Sequence, residues 1–455
     1  MTLAPSPDLW KGRRVSVIGA ARSGLAAARL LSGVGAEVFV SDAGSDDGVA
    51  ARLRCWQHEL GGHTDRVWHG RELVVTSPGV PWDAPVLERA RAHGVEVIAE
   101  LELAWRFSSA HVIAITGSNG KSTTTAWLAE VLTRAGFDAR VGGNIGVPLS
   151  DVGPSAPRDA VLVVEVSSYQ LEGIDTFRPR VGMILNITPD HLERHRDLEL
   201  YGAAKARIFE NIGPRDIVVL NHLDPRTRML GAQVEPDLIR WVGAAPGAWV
   251  ENGMIWAGRG DAPVALIPVE QLSLSGAHNV ENALAVVAGV VSLMEVLGRA
   301  LPIEAIGEGL RGFSALPHRQ ETVSIIDDVH YINDSKATNV DSTRLALESY
   351  DRGVIWIAGG LDKGSGLEPL VQAARPRVRK ALLIGQAAKR FELALSDAVS
   401  TECCEDLATA VILAREISQA GDVVLFSPAC ASFDQYQNFE KRGEAFRRLV
   451  TGGSA

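Results

Sequence analysis

HVIAITGSNGKST, residues His111 to Thr123, decides how this chain is read. The apolar run His111 to Ile115 has the length and composition of a buried strand, and a helical pattern follows from Thr124 to Gly136. Between them lies Thr116-Gly117-Ser118-Asn119-Gly120-Lys121-Ser122-Thr123. A strand, a glycine-bearing turn and a helix N-terminus aim backbone N–H groups and a helix dipole at one point, which suits phosphate. Lys121 adds a charge for the β- and γ-phosphates, and the Ser122 hydroxyl is placed to ligate Mg²⁺. The loop departs from the GxxxxGK[ST] pattern, since Ile115 stands where the first glycine should be. A plain turn with a capping serine is the bland alternative. Binding of a nucleoside triphosphate accounts for more of the residues.

Composition bounds the rest. At ~150 residues per domain, 455 residues suggest about three domains. A hydrophobic share of 46% with 22% charged residues describes a globular chain rather than a disordered one. The start, MTLAPSPDLWKGRR, lacks the basic-then-apolar order of a signal peptide. The apolar stretch Ala283 to Met294 falls short of the ~20 residues that span a bilayer. Four cysteines (Cys55, Cys403, Cys404, Cys430) show neither metal spacing nor a disulfide framework, so a reduced cytoplasm is expected. A monomer is expected as well. The net charge of −10 argues against a nucleic-acid partner. Anionic substrates would have to be held by local cations working against the global field.

Each of three segments opens on a strand. In the first, Arg14 to Ile18 leads into Gly19-Ala20-Ala21-Arg22-Ser23-Gly24, a helix through Leu31 and a strand from Glu37 to Val40 ending at Ser41-Asp42. This is a βαβ unit with a phosphate turn and an acid placed for a ribose hydroxyl. Ala21 replaces the middle glycine of the dinucleotide fingerprint, so NAD is one alternative and a uridine nucleotide another. The strand Leu73 to Thr76 ends in Ser77-Pro78-Gly79-Val80-Pro81. In the second segment the phosphate loop is followed by Gly142-Gly143-Asn144-Ile145-Gly146, a strand Ala160 to Val164 ending at Glu165, and a strand Val181 to Ile187 ending at Thr188-Pro189-Asp190-His191. A carboxylate directly after a buried strand near a phosphate loop is placed to bind Mg²⁺. The third segment opens at Leu316-Pro317-His318-Arg319 and has strands Val323 to Ile326, Gly353 to Ala358, Ala381 to Ile384 and Asp422 to Phe426. Polar or glycine-rich turns follow: Asn333-Asp334-Ser335-Lys336, Gly359-Gly360-Leu361-Asp362-Lys363 and Ser427-Pro428-Ala429-Cys430-Ala431-Ser432. In open parallel sheets such strand ends are where ligands sit.

TGSNGKST, GGNIG, EVSSYQLE, NITPDHLERH, YGAAKARIF, GAHNVENALA, PHRQE, NDSKATN, GGLDKG and SPACASFDQ occur in the order and context of the Mur ligases, and the chain resembles that family almost end to end. The resemblance implies an α/β protein of three domains: a Rossmann-like domain for a UDP-sugar (1–107), a central ATP-binding P-loop domain (108–315) and a Rossmann-like domain for an amino acid (316–455). NDSKATN and SPACASFDQ single out the branch that joins D-glutamate to UDP-N-acetylmuramoyl-L-alanine. By the same resemblance Gly117, Ser118, Asn119, Gly120, Lys121, Ser122 and Thr123 hold the phosphates of ATP, Asn279 and Asn282 the adenine side, and Arg319 and Asp334 the nucleotide from the third domain. Ser122, Glu165, His191 and Lys205 serve two Mg²⁺ ions, with Lys205 carbamylated. Asp42, Gly79 and Asn144 fall where the UDP-sugar is held, and Thr338, Lys363, Ser432, Phe433 and Phe439 where the amino acid is held. On spacing alone Lys205 reads as a solvated helix residue and His191 as a structural histidine.

The implied reaction is attack of the substrate carboxylate on the γ-phosphate, then of the D-glutamate amine on the acyl phosphate. Lys121, Mg²⁺ and the helix dipole offset the repulsion of two anions, and Lys336 stabilises the developing charge. His191 or a metal-bound group assists removal of the amine proton. Two other classes stay open: a dinucleotide-dependent oxidoreductase built on the N-terminal unit, and a non-catalytic nucleotide-binding protein of the same fold.

Overall fold

The computed structural model describes residues 9–45, 47–190, 192–258, 262–314, 316–362 and 364–452. They form three open α/β sheets. The first runs β3-β2-β1-β4-β5, with β1 Arg14–Ile18, β2 Glu37–Asp42, β3 Gln57–Leu60, β4 Leu73–Thr76 and β5 Glu96–Ala99, all parallel. The second has nine strands: β6 His111–Thr116, β7 Ala139–Gly143, β8 Val161–Glu165, β9 Val181–Ile184, β10 Ile217–Asn221, β11 Ile239–Val242, β12 Gly247–Glu251, β13 Met254–Gly258 and β14 Val264–Pro268. Their order is β14-β13-β12-β11-β10-β9-β6-β8-β7. The third is β15-β16-β20-β17-β18-β19, from β15 Glu321–Ile326, β16 Val329–Asn333, β17 Val354–Gly359, β18 Val378–Ile384, β19 Thr401–Cys403 and β20 Val423–Phe426. Two compact units result. One holds the first two sheets with Val280–Phe313; the other holds Leu274–Asn279 and the third sheet.

The central parallel strands are buried on both faces and read as continuous apolar runs; all five residues of Val161–Glu165 are buried. The antiparallel β12–β13–β14 hairpins and the β15–β16 hairpin are additions to the sequence reading. The two-residue loops of the β12–β13 and β15–β16 hairpins, Asn252-Gly253 and Asp327-Asp328, have positive φ throughout (51°, 73°, 49° and 61°), the mirror-image turn that matches strand twist. The apolar stretch at Ala283 sits inside a longer helix, Ala277–Leu297. By length and composition this helix could cross a membrane, but 72% of its most apolar window is buried inside the protein.

The first sheet is joined to the second through Glu100–Arg106, a short helix that starts directly after β5. Ala99 N donates to Gly173 O at 2.8 Å. Glu100 Oε1 accepts from Ser150 N at 2.7 Å. Glu102 accepts from the backbone N–H groups of Asp175, Thr176 and Phe177 at 2.9–3.1 Å, and from Arg106 Nε at 2.9 Å. The two carboxyls lie two residues apart and behave oppositely. Burial pushes both up, but for Glu102 the hydrogen bonds from Asp175, Thr176 and Arg106 outweigh it and hold the group below the ordinary range. Glu100 has fewer donors, and burial leaves it raised.

A carboxyl raised by folding adds stability below its unfolded value, and that stability is lost as pH climbs through the folded value. Glu100→Gln, which keeps the acceptor for Ser150 N without a charge, should therefore gain on the wild type as pH rises from 4 to 8. The melting-temperature gap should widen with pH by ~2–4 °C per kcal/mol; a pH-independent gap would contradict an ionising Glu100.

Candidate active site

Strand β6 lies between β8 and β9, and the parallel register pairs Ile115 with Glu165 and Thr116 with Ile184. Three loops therefore leave one edge of the sheet side by side. The phosphate loop is fixed by the β9 loop: Asn119 N donates to Asn186 Oδ1 at 2.8 Å, Ser118 N to Asn186 O at 3.0 Å and Thr188 N to Ser118 Oγ at 2.9 Å. The helix Lys121–Arg134 begins earlier than its sequence pattern, with Gly120 as N-cap at φ 78° and no side-chain cap. A Cβ at Gly120 would lie 2.3 Å from Asn282 Oδ1, so only glycine lets the loop pass this close. The first-turn N–H groups thus face the loop's concavity, the arrangement that binds phosphate.

Lys121 Nζ donates to Gly117 O and Ser118 O, both at 2.8 Å. Lys205 is not a solvated helix residue: it is 1% exposed, and its Nζ donates to the same Gly117 O at 2.9 Å. Its ammonium lies 4.3 Å from the centroid of the Tyr201 ring. Burial first, then the charge of Lys121, hold the amine well below the ordinary lysine range, against the pull of Asp190 and Glu165. Ser122 and Glu165 are each 1% exposed, a hydroxyl and a carboxylate whose hard oxygens fit Mg²⁺. Asn144 binds Glu165 twice, Nδ2 to Oε1 at 2.7 Å and N to the carbonyl at 2.9 Å. Among the described residues, no group of three or more His, Cys, Asp or Glu could hold a metal ion on its own. His191 lies outside the described residues.

In the first sheet, Asp42 closes the turn after β1: its carboxylate accepts from Ala20 N at 2.6 Å and Gly44 N at 2.7 Å. Gly79 lies in the loop after β4, and a Cβ there would meet nothing within 4 Å.

In the third sheet the adjacent strands β16, β20 and β17 deliver three turns to one edge. Ser427 Oγ donates to Asp334 Oδ2 at 2.8 Å and Gln320 N to Oδ1 at 3.2 Å. Burial pushes the Asp334 carboxyl up to about 7, with Arg319 and the hydrogen bonds opposing. Lys336 Nζ is 5.1 Å from the Phe439 ring centroid, and Thr338 N donates to Lys336 O at 2.9 Å. Ser432 is turned inward and Phe433 outward, at 2% and 68% exposure. Lys363 lies outside the described residues. Asn279, whose Nδ2 donates to Ser275 O at 2.7 Å, belongs to the unit of this sheet, and Asn282 to that of the phosphate loop.

The chain matches the Mur ligase MurD-like N-terminal domain over residues 13–99, the Mur ligase middle domain over 115–290 and the Mur ligase glutamate ligase domain over 318–430. It is 43% identical to the UDP-N-acetylmuramoylalanine–D-glutamate ligase of Salinibacter ruber, over 98% of this chain and 99% of that one. Against the enzyme of that name from Koribacter versatilis the identity is 42%, over 97% of each. This chain belongs to the Mur ligase family. Among solved structures, the UDP-N-acetylmuramate–alanine ligase of Thermotoga maritima shares the fold, with a TM-score of 0.61 and 22% identity over 97% of this chain and 100% of that one.

One residue of this Mur ligase that sequence reading passed over is Arg442. It is 1% exposed on the C-terminal helix Phe439–Thr451. Its guanidinium donates to Ser335 Oγ at 3.1 Å, Ser335 O at 2.9 Å, Cys430 O at 3.0 Å and Ala431 O at 3.1 Å. It thereby ties the NDSKATN turn to the SPACAS turn. Cys430 is buried beside it, and burial pushes its thiol up to about 12. An arginine inside a charged helix carries no sequence signal of this role. Asn186, the first residue of NITPDHLERH, likewise carries no sequence signal of its bracing of the phosphate loop. Arg442→Met keeps bulk but strands the carbonyls of Ser335 and Cys430, Ala431 O still accepting from Leu361 N, so the third-sheet unit should lose at least ~2 kcal/mol. Urea unfolding followed through buried Trp356 measures this, and an unchanged midpoint would show that the turns hold themselves.

Proposed function

We propose that this chain is an ATP-dependent ligase that joins D-glutamate to UDP-N-acetylmuramoyl-L-alanine, releasing ADP and phosphate, in peptidoglycan precursor synthesis. Near-full-length identity to ligases of that name supports the substrates. The observation that carries the chemistry is a fully buried Lys205 on the carbonyl of a phosphate loop that already holds Lys121. Nothing of this kind serves a dinucleotide-dependent oxidoreductase or a scaffold.

ATP is held with its phosphates over Gly117–Thr123, where the first-turn N–H groups and Lys121 offset negative charge. Ser122 and Glu165 hold Mg²⁺, which when bound screens the phosphate oxygens from the incoming carboxylate. A second ion is served by His191 and by Lys205 as a carbamate. Carbamylation needs a neutral amine, and burial beside Lys121 shifts Lys205 in that direction. Asp42, Gly79 and Asn144 take the UDP-sugar. Asn279 and Asn282 take the adenine side, and Arg319 and Asp334 the nucleotide from the third domain. Thr338, Lys363, Ser432, Phe433 and Phe439 form the pocket for D-glutamate, with Lys363, Thr338 and Ser432 meeting its two carboxylates, and Lys336 stabilises charge as the amine attacks. The roles divide over domains at 1–107, 108–315 and 316–455. The net charge of −10 supports the absence of a nucleic-acid partner, and the protein acts as a cytoplasmic monomer on this reading.

Phosphate release with ATP, UDP-N-acetylmuramoyl-L-alanine and a panel of D- and L-amino acids tests the reading, which fails if D-glutamate is not preferred. Lys121→Ala should lower turnover by at least ~10³, because the lysine acts mainly as charge develops on the transferring group. Near-normal turnover would make the loop structural. Lys205→Ala should be inactive and partly rescued by short carboxylic acids. Full activity without rescue would remove the carbamate.

A further inference from the structure

The loop after β4, Ser77–Pro81, is held by the second sheet's loops as well as by its own sheet. Arg194 donates from Nη1 to Pro78 O and from Nη2 to Val80 O, each at 3.4 Å. Nη2 also pairs with Glu172 Oε2. Both side chains of this ion pair are 17% exposed, so water screens it little. The guanidinium carbon lies 4.0 Å from the centroid of the Tyr169 ring. The other Glu172 oxygen, Oε1, is 3.8 Å from His195 Nδ1, and His195 Nε2 is 2.9 Å from Ser168 Oγ.

The segment carrying Glu172 leaves β8 directly after Glu165 and is fixed along its length. Ser167 and Gln170 form a reciprocal capping box at its start. Arg207 donates to the carbonyls of Leu171, Glu172 and Ile174, and Glu102 takes the N–H groups of Asp175 to Phe177. A segment anchored at every turn transmits position rather than absorbing it. Arg194 binds that anchored segment on one side and the Gly79 loop on the other.

We propose that Arg194 is a positioning residue for the ligation. Held by Glu172 and Tyr169, it sets the loop that takes the UDP-sugar against the segment following Glu165, so that the substrate's terminal carboxylate arrives in line with the phosphoryl group. The inference rests on the ligase reading above. Two carbonyls and a carboxylate around one flat, stacked cation need a guanidinium; an ammonium cannot satisfy this fork. On this reading Arg194 acts through the UDP-sugar loop alone, so binding of ATP and D-glutamate should be indifferent to its loss.

The test uses the full chain with Arg194→Ala, Arg194→Lys and Glu172→Gln, recording kcat, KM for each of the three substrates, and melting temperature. For Arg194→Ala the KM of the UDP-sugar substrate should rise about ten-fold and kcat fall, with KM for ATP and D-glutamate within about two-fold. Lysine should not rescue, and Glu172→Gln should move the same parameters in the same direction, the effect staying selective for the UDP-sugar substrate whatever the change in melting temperature. Equal rises in all three KM values together with a lower melting temperature would show a merely structural residue and overturn the inference. So would wild-type kinetics in Arg194→Ala, or full rescue by lysine. A wild-type protein that forms no amide would instead overturn the ligase reading, and this inference with it.

Discussion

The parallel register of β8, β6 and β9 is the constraint on which the rest depends. Strands that pair Ile115 with Glu165 and Thr116 with Ile184 must end at one edge, so a phosphate loop, a carboxylate and an asparagine-bearing loop are delivered together. Asn186 then exchanges hydrogen bonds with Asn119 in both directions, and Ser118 does so with Thr188. Loop rigidity here comes from a neighbouring strand end as well as from the loop's own Lys121.

Burial alone does not set the charge state of the acids and bases. Glu102 stays ionised in a fully enclosed place because backbone amides point at it, whereas Glu100, two residues earlier, is raised. Lys205 follows the same rule with the opposite sign: a second cation nearby adds to desolvation. In a chain of net charge −10, anionic ligands need local cations, and Lys121 is held at a fixed place on two carbonyl oxygens.

Much of this was legible in the sequence. Parallel strands buried on both faces leave unbroken apolar runs, and glycine-bearing turns after them mark the ligand edge, so β1, β4, β6, β8 and β17 were readable with their loops. Less was legible where register or long-range contact decides. The β9 strand ends at Ile184, three residues before its apolar pattern does, because the chain turns aside to brace the phosphate loop. Asn252-Gly253 signalled a hairpin that the reading did not take up. Lys205 sits on a helix whose periodicity says nothing of a carbonyl 88 residues away, and only family resemblance flagged it. Arg442 and Arg194 are invisible for the same reason: their partners are backbone oxygens brought close by tertiary structure.

The buried thiol of Cys430 has a chemical consequence for the third-sheet turn. A thiol whose ionisation lies near 12 is almost wholly protonated at neutral pH, and thiolate is the reactive form. Electrophiles and peroxides that modify exposed cysteines such as Cys55 and Cys403 should therefore pass over the turn that Arg442 anchors. A cysteine-directed inhibitor aimed at this turn would find a sulfur in the right place with almost no nucleophilicity.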